Sequence, residues 1–118
     1  MLESLLGNST IEKILFTLES FDKAYPTGLS KIFNIPVNGI QQQLKRLENG
    51  GVVVSMMTGR TRLYQFNPRY PFLKELRALL KRAIEFLPEK EIEMYYKRRT
   101  RPRKKGKPYE VWLAEYRD

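Results

Sequence analysis

The chain has 118 residues, 42% of them hydrophobic, and carries a formal net charge of +9 with neither Cys nor His. That length suits one domain with a modest core, and no apolar run approaches the length of a membrane span. The missing Cys and His exclude disulfides, soft-metal sites and the commonest acid–base and nucleophilic catalysts.

The amino-terminal residues Met1–Leu6 lack the basic start and long apolar stretch of a secretory signal, so a soluble, cytoplasmic protein is expected. Asn8 or Ser9 can cap a first helix reaching about Phe21, with Ile11, Ile14, Leu15, Leu18 and Phe21 as its buried stripe. Asp22 to Pro26 reads as a loop. A second helix is predicted over Thr27–Phe33, where the Thr27 hydroxyl can accept a first-turn N–H as N-cap. Leu29, Ile32 and Phe33 fall on one face of it. Asn34 tolerates the left-handed backbone that a tight turn needs, and Pro36 suits the first turn of a following helix. That helix, Val37–Asn49, should bury Ile40, Leu44 and Leu47 and turn Asn38, Gln41, Gln42, Lys45 and Arg46 outward, with Gly50 and Gly51 stopping it. Val52–Met57 and Arg62–Phe66 read as the strands of a hairpin around Thr58–Arg60, with Tyr64 and Phe66 packing it on the core.

Asn67–Pro71 breaks regular structure ahead of a strongly apolar helix from about Phe72 to Leu87. Its apolar set (Phe72, Leu73, Leu76, Leu79, Leu80, Ala83, Ile84 and Leu87) is wider than one packing face requires. One side can pack on the first helix, and the other is expected to meet a second subunit. The alternative is a small core that wraps this helix. Pro88–Glu91 has the Pro and acidic residues of a fresh helix start, carrying Ile92, Met94, Tyr95 and Tyr96 over 88–96. Residues 1–96 hold 13 Lys/Arg against 10 Asp/Glu, whereas 97–107 hold eight bases and no acid. Those bases are Lys97, Arg98, Arg99, Arg101, Arg103, Lys104, Lys105 and Lys107. Such a run attracts polyanions, chiefly nucleic acid, and the Pro- and Gly-containing segment 97–108 is expected to be flexible in the free protein. The closing segment 109–118, with Val111, Trp112, Leu113 and Tyr116, is expected to dock on the body or on a partner.

Residues 29–53 followed by Gly59–Tyr64 resemble the winged helix-turn-helix DNA-binding domains of ArsR-like and MarR-like transcriptional regulators. The resemblance covers roughly residues 5–87, with its specificity concentrated in 27–66. It implies a mainly α fold with a small β-hairpin: a winged helix-turn-helix over 1–87 with additional C-terminal helices. It also implies a double-stranded DNA partner and a homodimer spanning two half-sites. Pro36 stands where the family usually has Ser, which removes a side-chain cap. Without Cys and His, the soft-metal sites of some ArsR-like sensors cannot exist here.

Within that frame the residue chemistry is specific. Asn and Gln pair bidentately with adenine, while Arg and Lys suit guanine or phosphate. Asn38, Gln41 and Gln42 are therefore expected at base edges, with Lys45 and Arg46 at phosphates. Alone, a polar helix face is more often simply solvated; helix, turn and hairpin together favour DNA. Arg60 and Arg62 flank the hairpin tip, which in the family reaches the minor groove or backbone; solubilising charge on an edge strand is the alternative. Lys105–Pro108 is similar to the core of an AT-hook, with Lys where the hook has Arg. A nonspecific phosphate clamp is the expected role of the basic run, against a simple solubility tail. The carboxylates are expected mainly at solvent-facing positions, and no catalytic constellation, cofactor loop or metal cluster is visible, so neither an enzyme nor a cofactor is expected. The sequence thus points to a sequence-specific, nucleoid-associated transcriptional regulator. The alternative is a winged-helix protein–protein module whose basic tail binds RNA or an acidic partner.

Overall fold

The computed structural model describes residues 1–97. Arg98 onward, including the aromatic segment 109–118, lies outside the described residues. The architecture is mainly helical with one antiparallel hairpin. In chain order it runs α1 (Glu3–Leu6), α2 (Ser9–Phe21), α3 (Pro26–Phe33), α4 (Val37–Asn49), β1 (Val53–Thr58), β2 (Thr61–Phe66), α5 (Leu73–Glu85) and α6 (Glu89–Glu91), which passes directly into a π-helical turn, Ile92–Tyr96.

The expected cap and stripe of α2 are both present. The Asn8 side chain accepts the Ile11 N–H at 2.8 Å, and Ile11, Ile14, Leu15, Leu18 and Phe21 are buried. The burial goes further than one stripe, because Glu12, Phe16 and Thr17 are buried too. The helix is consequently surrounded by α1, α4, α5 and the π turn. Glu12 departs from the solvent-facing position expected of the carboxylates: it accepts the Leu2 N–H and faces the Met1 amino group at 3.3 Å. Asp22 ends α2 in the left-handed region, its N–H returning to the Leu18 carbonyl at 2.8 Å.

Helix α3 starts one residue earlier than predicted. Pro26 takes the first helical position and Tyr25 before it is extended (φ −111°, ψ 141°), so the cap position falls on Tyr25 and not on Thr27. The steric restriction that proline places on its predecessor explains this shift. The turn into α4 is as expected, with Asn34 left-handed at φ 55° and the Ser30 hydroxyl donating to the Ile35 carbonyl. Helix α4 buries Ile40, Leu44 and Leu47.

The hairpin pairs Val53 with Phe66 through Thr58 with Thr61, leaving a two-residue turn, Gly59–Arg60. Gly59 sits at φ 65°, as the first central position of a II′ turn requires. Leu63, Tyr64 and Phe66 are buried. The stretch predicted as a loop before α3 contributes a rung of its own. Ala24 and Tyr64 exchange both backbone hydrogen bonds, at 3.0 and 2.9 Å.

Helix α5 is shorter than predicted and asymmetrically covered. Leu80 and Ala83 are buried, while Phe72 and Leu79 are exposed. The predicted helix over 88–96 begins as α6 and then widens into the π turn. The wider turn sets Tyr95 and Tyr96 on Phe33, with ring centroids at 5.1 and 6.1 Å, and Tyr96 edge-on to Phe16 at 5.6 Å.

Burial pushes the Tyr96 phenol well above its ordinary range, with Glu91, Glu12 and Tyr95 adding to the effect. A raised folded-state value means that this contribution to stability is complete below about pH 10 and is lost as pH climbs above it. Tyr96→Phe should therefore leave the melting temperature at neutral pH nearly unchanged and flatten its alkaline decline. Thermal unfolding between about pH 8 and 12 measures this; an unaltered decline would show that Tyr96 does not set it.

Candidate nucleic-acid interface

The outward stripe of α4 follows from helical geometry. Asn38, Gln42, Lys45 and Asn49 recur at spacings that put them on one side, and all four are exposed, as is Gln41 beside them. Between this helix and the hairpin lies a cleft of about 530 Å³. Helix α4 contributes Gln41, Lys45, Glu48 and Asn49 to its wall; the hairpin contributes Met57, Arg60, Thr61, Arg62 and Tyr64. Pro26 and Thr27, at the amino end of α3, complete it. Four of the residues singled out from sequence, Gln41, Lys45, Arg60 and Arg62, thus share one concavity.

The other predicted residues are distributed differently. Asn38 and Gln42 are exposed on α4 and are not among the residues lining the cleft. Arg46 is exposed but leans on the end of α1, with a guanidinium nitrogen 3.1 Å from where a β-carbon on Gly7 would lie. A side chain at position 7 would crowd it. Lys97 is exposed and pairs with Glu93 at 2.9 Å, whereas Arg98, Arg99, Arg101, Arg103, Lys104, Lys105 and Lys107 lie outside the described residues.

Several residues that the sequence did not single out shape the site. The Ser55 hydroxyl donates to Glu48 Oε2 at 2.7 Å and accepts from Arg62 Nη1 at 3.0 Å. This relay runs from α4 through β1 to β2 and steadies Arg62. It also leaves one carboxylate, Glu48, among three cations (Lys45, Arg60 and Arg62) in the cleft wall. Tyr64 is packed behind them, and burial raises its phenol, with Glu48 raising it further and Arg62 opposing. Gln43 accepts from Asn8 Nδ2 at 3.2 Å, joining α4 to the capped end of α2. None of these pairings leaves a pattern along the chain, because each joins different elements.

An anion is the natural ligand for such a wall: it carries a cationic excess and hydrogen-bond donors, and Gln41 adds an amide. Among the described residues no group of three or more His, Cys, Asp or Glu could hold a metal ion, and none of the helices is long and apolar enough to cross a membrane. No family model, curated protein or solved structure matches the chain.

Thr27 Oγ1 is buried without a hydrogen-bond partner. An unmet hydroxyl of this kind costs on the order of 1–3 kcal/mol. Thr27→Val, which keeps the branched shape, should leave the free energy of unfolding unchanged or raise it by about 1 kcal/mol. Urea denaturation gives the answer, and a loss of more than about 1 kcal/mol would mean that a bound water satisfies the hydroxyl.

Proposed function

We propose that this protein is a sequence-specific double-stranded DNA-binding transcriptional regulator with a winged helix-turn-helix fold of the ArsR-like and MarR-like type. The observation that carries the reading is the shared cleft, which puts Gln41 and Lys45 of α4 beside Arg60 and Arg62 of the hairpin. In this reading α4 enters the major groove. Asn38, Gln41 and Gln42 meet base edges, and the amide-rich stripe favours adenine. Lys45 and the arginines of the hairpin tip take phosphates or the flanking minor groove. Arg46, leaning on α1, reaches the backbone from the opposite side of α4.

Charge limits how tightly this surface alone can hold DNA. Residues 36–66 carry Lys45, Arg46, Arg60 and Arg62 against Glu48, so polar contacts select the site. Much of the affinity then comes from the eight bases of 97–107. The regulator acts as a homodimer through α5. In support, Leu79 in the middle of α5 and the residues that flank its two ends, Phe72 and Phe86, are 38%, 62% and 64% exposed, an apolar set at seven-residue intervals of the kind a helix–helix seam uses.

Selection of bound sites from a random duplex pool should return a symmetric, A·T-biased motif; no enrichment would sink the reading. On the selected site, Gln42→Ala should lose about 1–3 kcal/mol at one base pair and little on random DNA. Equal losses on both would move Gln42 to the backbone contacts. In the full-length chain, changing all eight basic residues of 97–107 to Gln should lower the salt slope by roughly 7 per subunit, at about 0.9 per phosphate contact. An unchanged slope would remove the clamp from the account. Leu79→Glu should convert a dimer to a folded monomer in sedimentation, and a wild-type monomer at tens of micromolar would exclude the α5 seam.

A further inference from the structure

The outer side of α5 carries charge as well as exposed apolar side chains. Leu79 lies at the middle of the helix, with Glu75 four residues before it and Arg82 three residues after it. Those spacings set all three on one side. Glu75 and Arg82 are both exposed, and Glu75 has no ion pair among the described residues. Arg82 lies over the Phe86 ring at 4.8 Å and gives a single hydrogen bond to Glu85 at 2.9 Å. That ion pair is open to solvent at both ends, so it holds the guanidinium weakly and leaves N–H donors for a second carboxylate.

The direction in which two such helices pair decides what their charges meet. A parallel pair sets like against like, Glu75 beside the partner's Glu75 and Arg82 beside the partner's Arg82. An antiparallel pair about a two-fold axis at Leu79 sets position 75 opposite position 83. Glu75 then comes within one residue's rise, about 1.5 Å along the axis, of the partner's Arg82. The symmetry makes this contact twice. The same axis brings Phe72 opposite the partner's Phe86, so an aromatic pair closes each end of the seam.

We propose that two copies of this chain pair through antiparallel α5 helices about Leu79, with Glu75 of each copy bound to the partner's Arg82. The pairing rests on the homodimer in the function proposed above and fixes its direction and register. The apolar residues supply the burial, and the two charged residues select against the parallel alternative, in which both contacts are repulsive.

Sedimentation equilibrium of the full-length chain tests the charges. Glu75→Arg and Arg82→Glu each turn both contacts repulsive and should weaken the dimer roughly tenfold. Combining the two changes restores opposite charges and should return the dissociation constant to within about threefold of wild type. Single variants that dimerise as well as wild type, or a double variant no tighter than the singles, would overturn the proposal. Direction is read separately by disulfide trapping, since the chain has no Cys of its own. In the antiparallel pair, Phe72→Cys stands opposite the partner's position 86, while the two copies of position 72 lie about 21 Å apart, beyond disulfide reach. Oxidation should therefore link a mixture of Phe72→Cys and Phe86→Cys chains and link neither variant with itself. Self-linking of either variant would overturn the antiparallel direction, as would a mixture that dimerises without linking. A wild-type chain that stays monomeric at tens of micromolar would instead remove the homodimer itself.

Discussion

The arrangement depends on the burial of α2 on nearly every side. Ile14, Leu15, Phe16 and Leu18 are almost wholly removed from solvent, and the helix meets α1, α4, α5 and the π turn. A helix with one apolar stripe could support one neighbour; this one supports four. The side of α4 opposite its polar stripe is held through Ile40, Leu44 and Leu47. Orientation of the polar stripe is thus a consequence of apolar packing, and the chemistry of the candidate interface is set by residues that never touch it.

The hairpin shares that core through Val53, Tyr64 and Phe66, and polar contacts tie it in further. The Ala24–Tyr64 bridge joins β2 to the segment between α2 and α3. On the next element Arg77 pairs with Glu19 at 2.7 Å and Asp22 at 2.9 Å while its guanidinium lies over the Phe66 ring. Exposed ion pairs contribute little to stability, but a guanidinium with two carboxylates and an aromatic face has few alternative positions. The carboxyl end of α2, the middle of α5 and the end of β2 are brought into one cluster. The cleft keeps its width because both of its walls, α4 and the hairpin, refer back to α2.

Much of this was legible in the chain, for identifiable reasons. Asn8, Pro36 and the glycines at 50 and 51 punctuate α2 and α4 strongly, and Ile40, Leu44 and Leu47 mark the buried side of α4 without ambiguity. Gly59 marks the hairpin turn. The failures have equally local causes. Thr27 is a good cap residue, but Pro26 pre-empts the first helical position. Ala24 is a single small residue whose bridging role depends on a partner forty residues away. The apolar spacing of Ile92–Tyr96 fits an α-helix as well as a π turn, and only the docking of both tyrosine rings on Phe33 decides between them. Outward-facing cations of the cleft could be named from helix and hairpin periodicity. The Glu48–Ser55–Arg62 relay could not, since it crosses three elements.

The hairpin turn has an implication for how such a surface can change over time. Its two strands are joined by only Gly59 and Arg60, and side chains alternate between faces with a period of two. Adding one residue to one strand would move every side chain beyond it to the opposite face, taking Tyr64 and Phe66 off the face they now share. Adding two residues to each strand next to the turn extends the ribbon by about 7 Å and leaves the existing pairs in register. The tip is therefore the part of this molecule whose length can drift without disturbing the core, and the reach of its arginines is free to be tuned separately from the helix beside it.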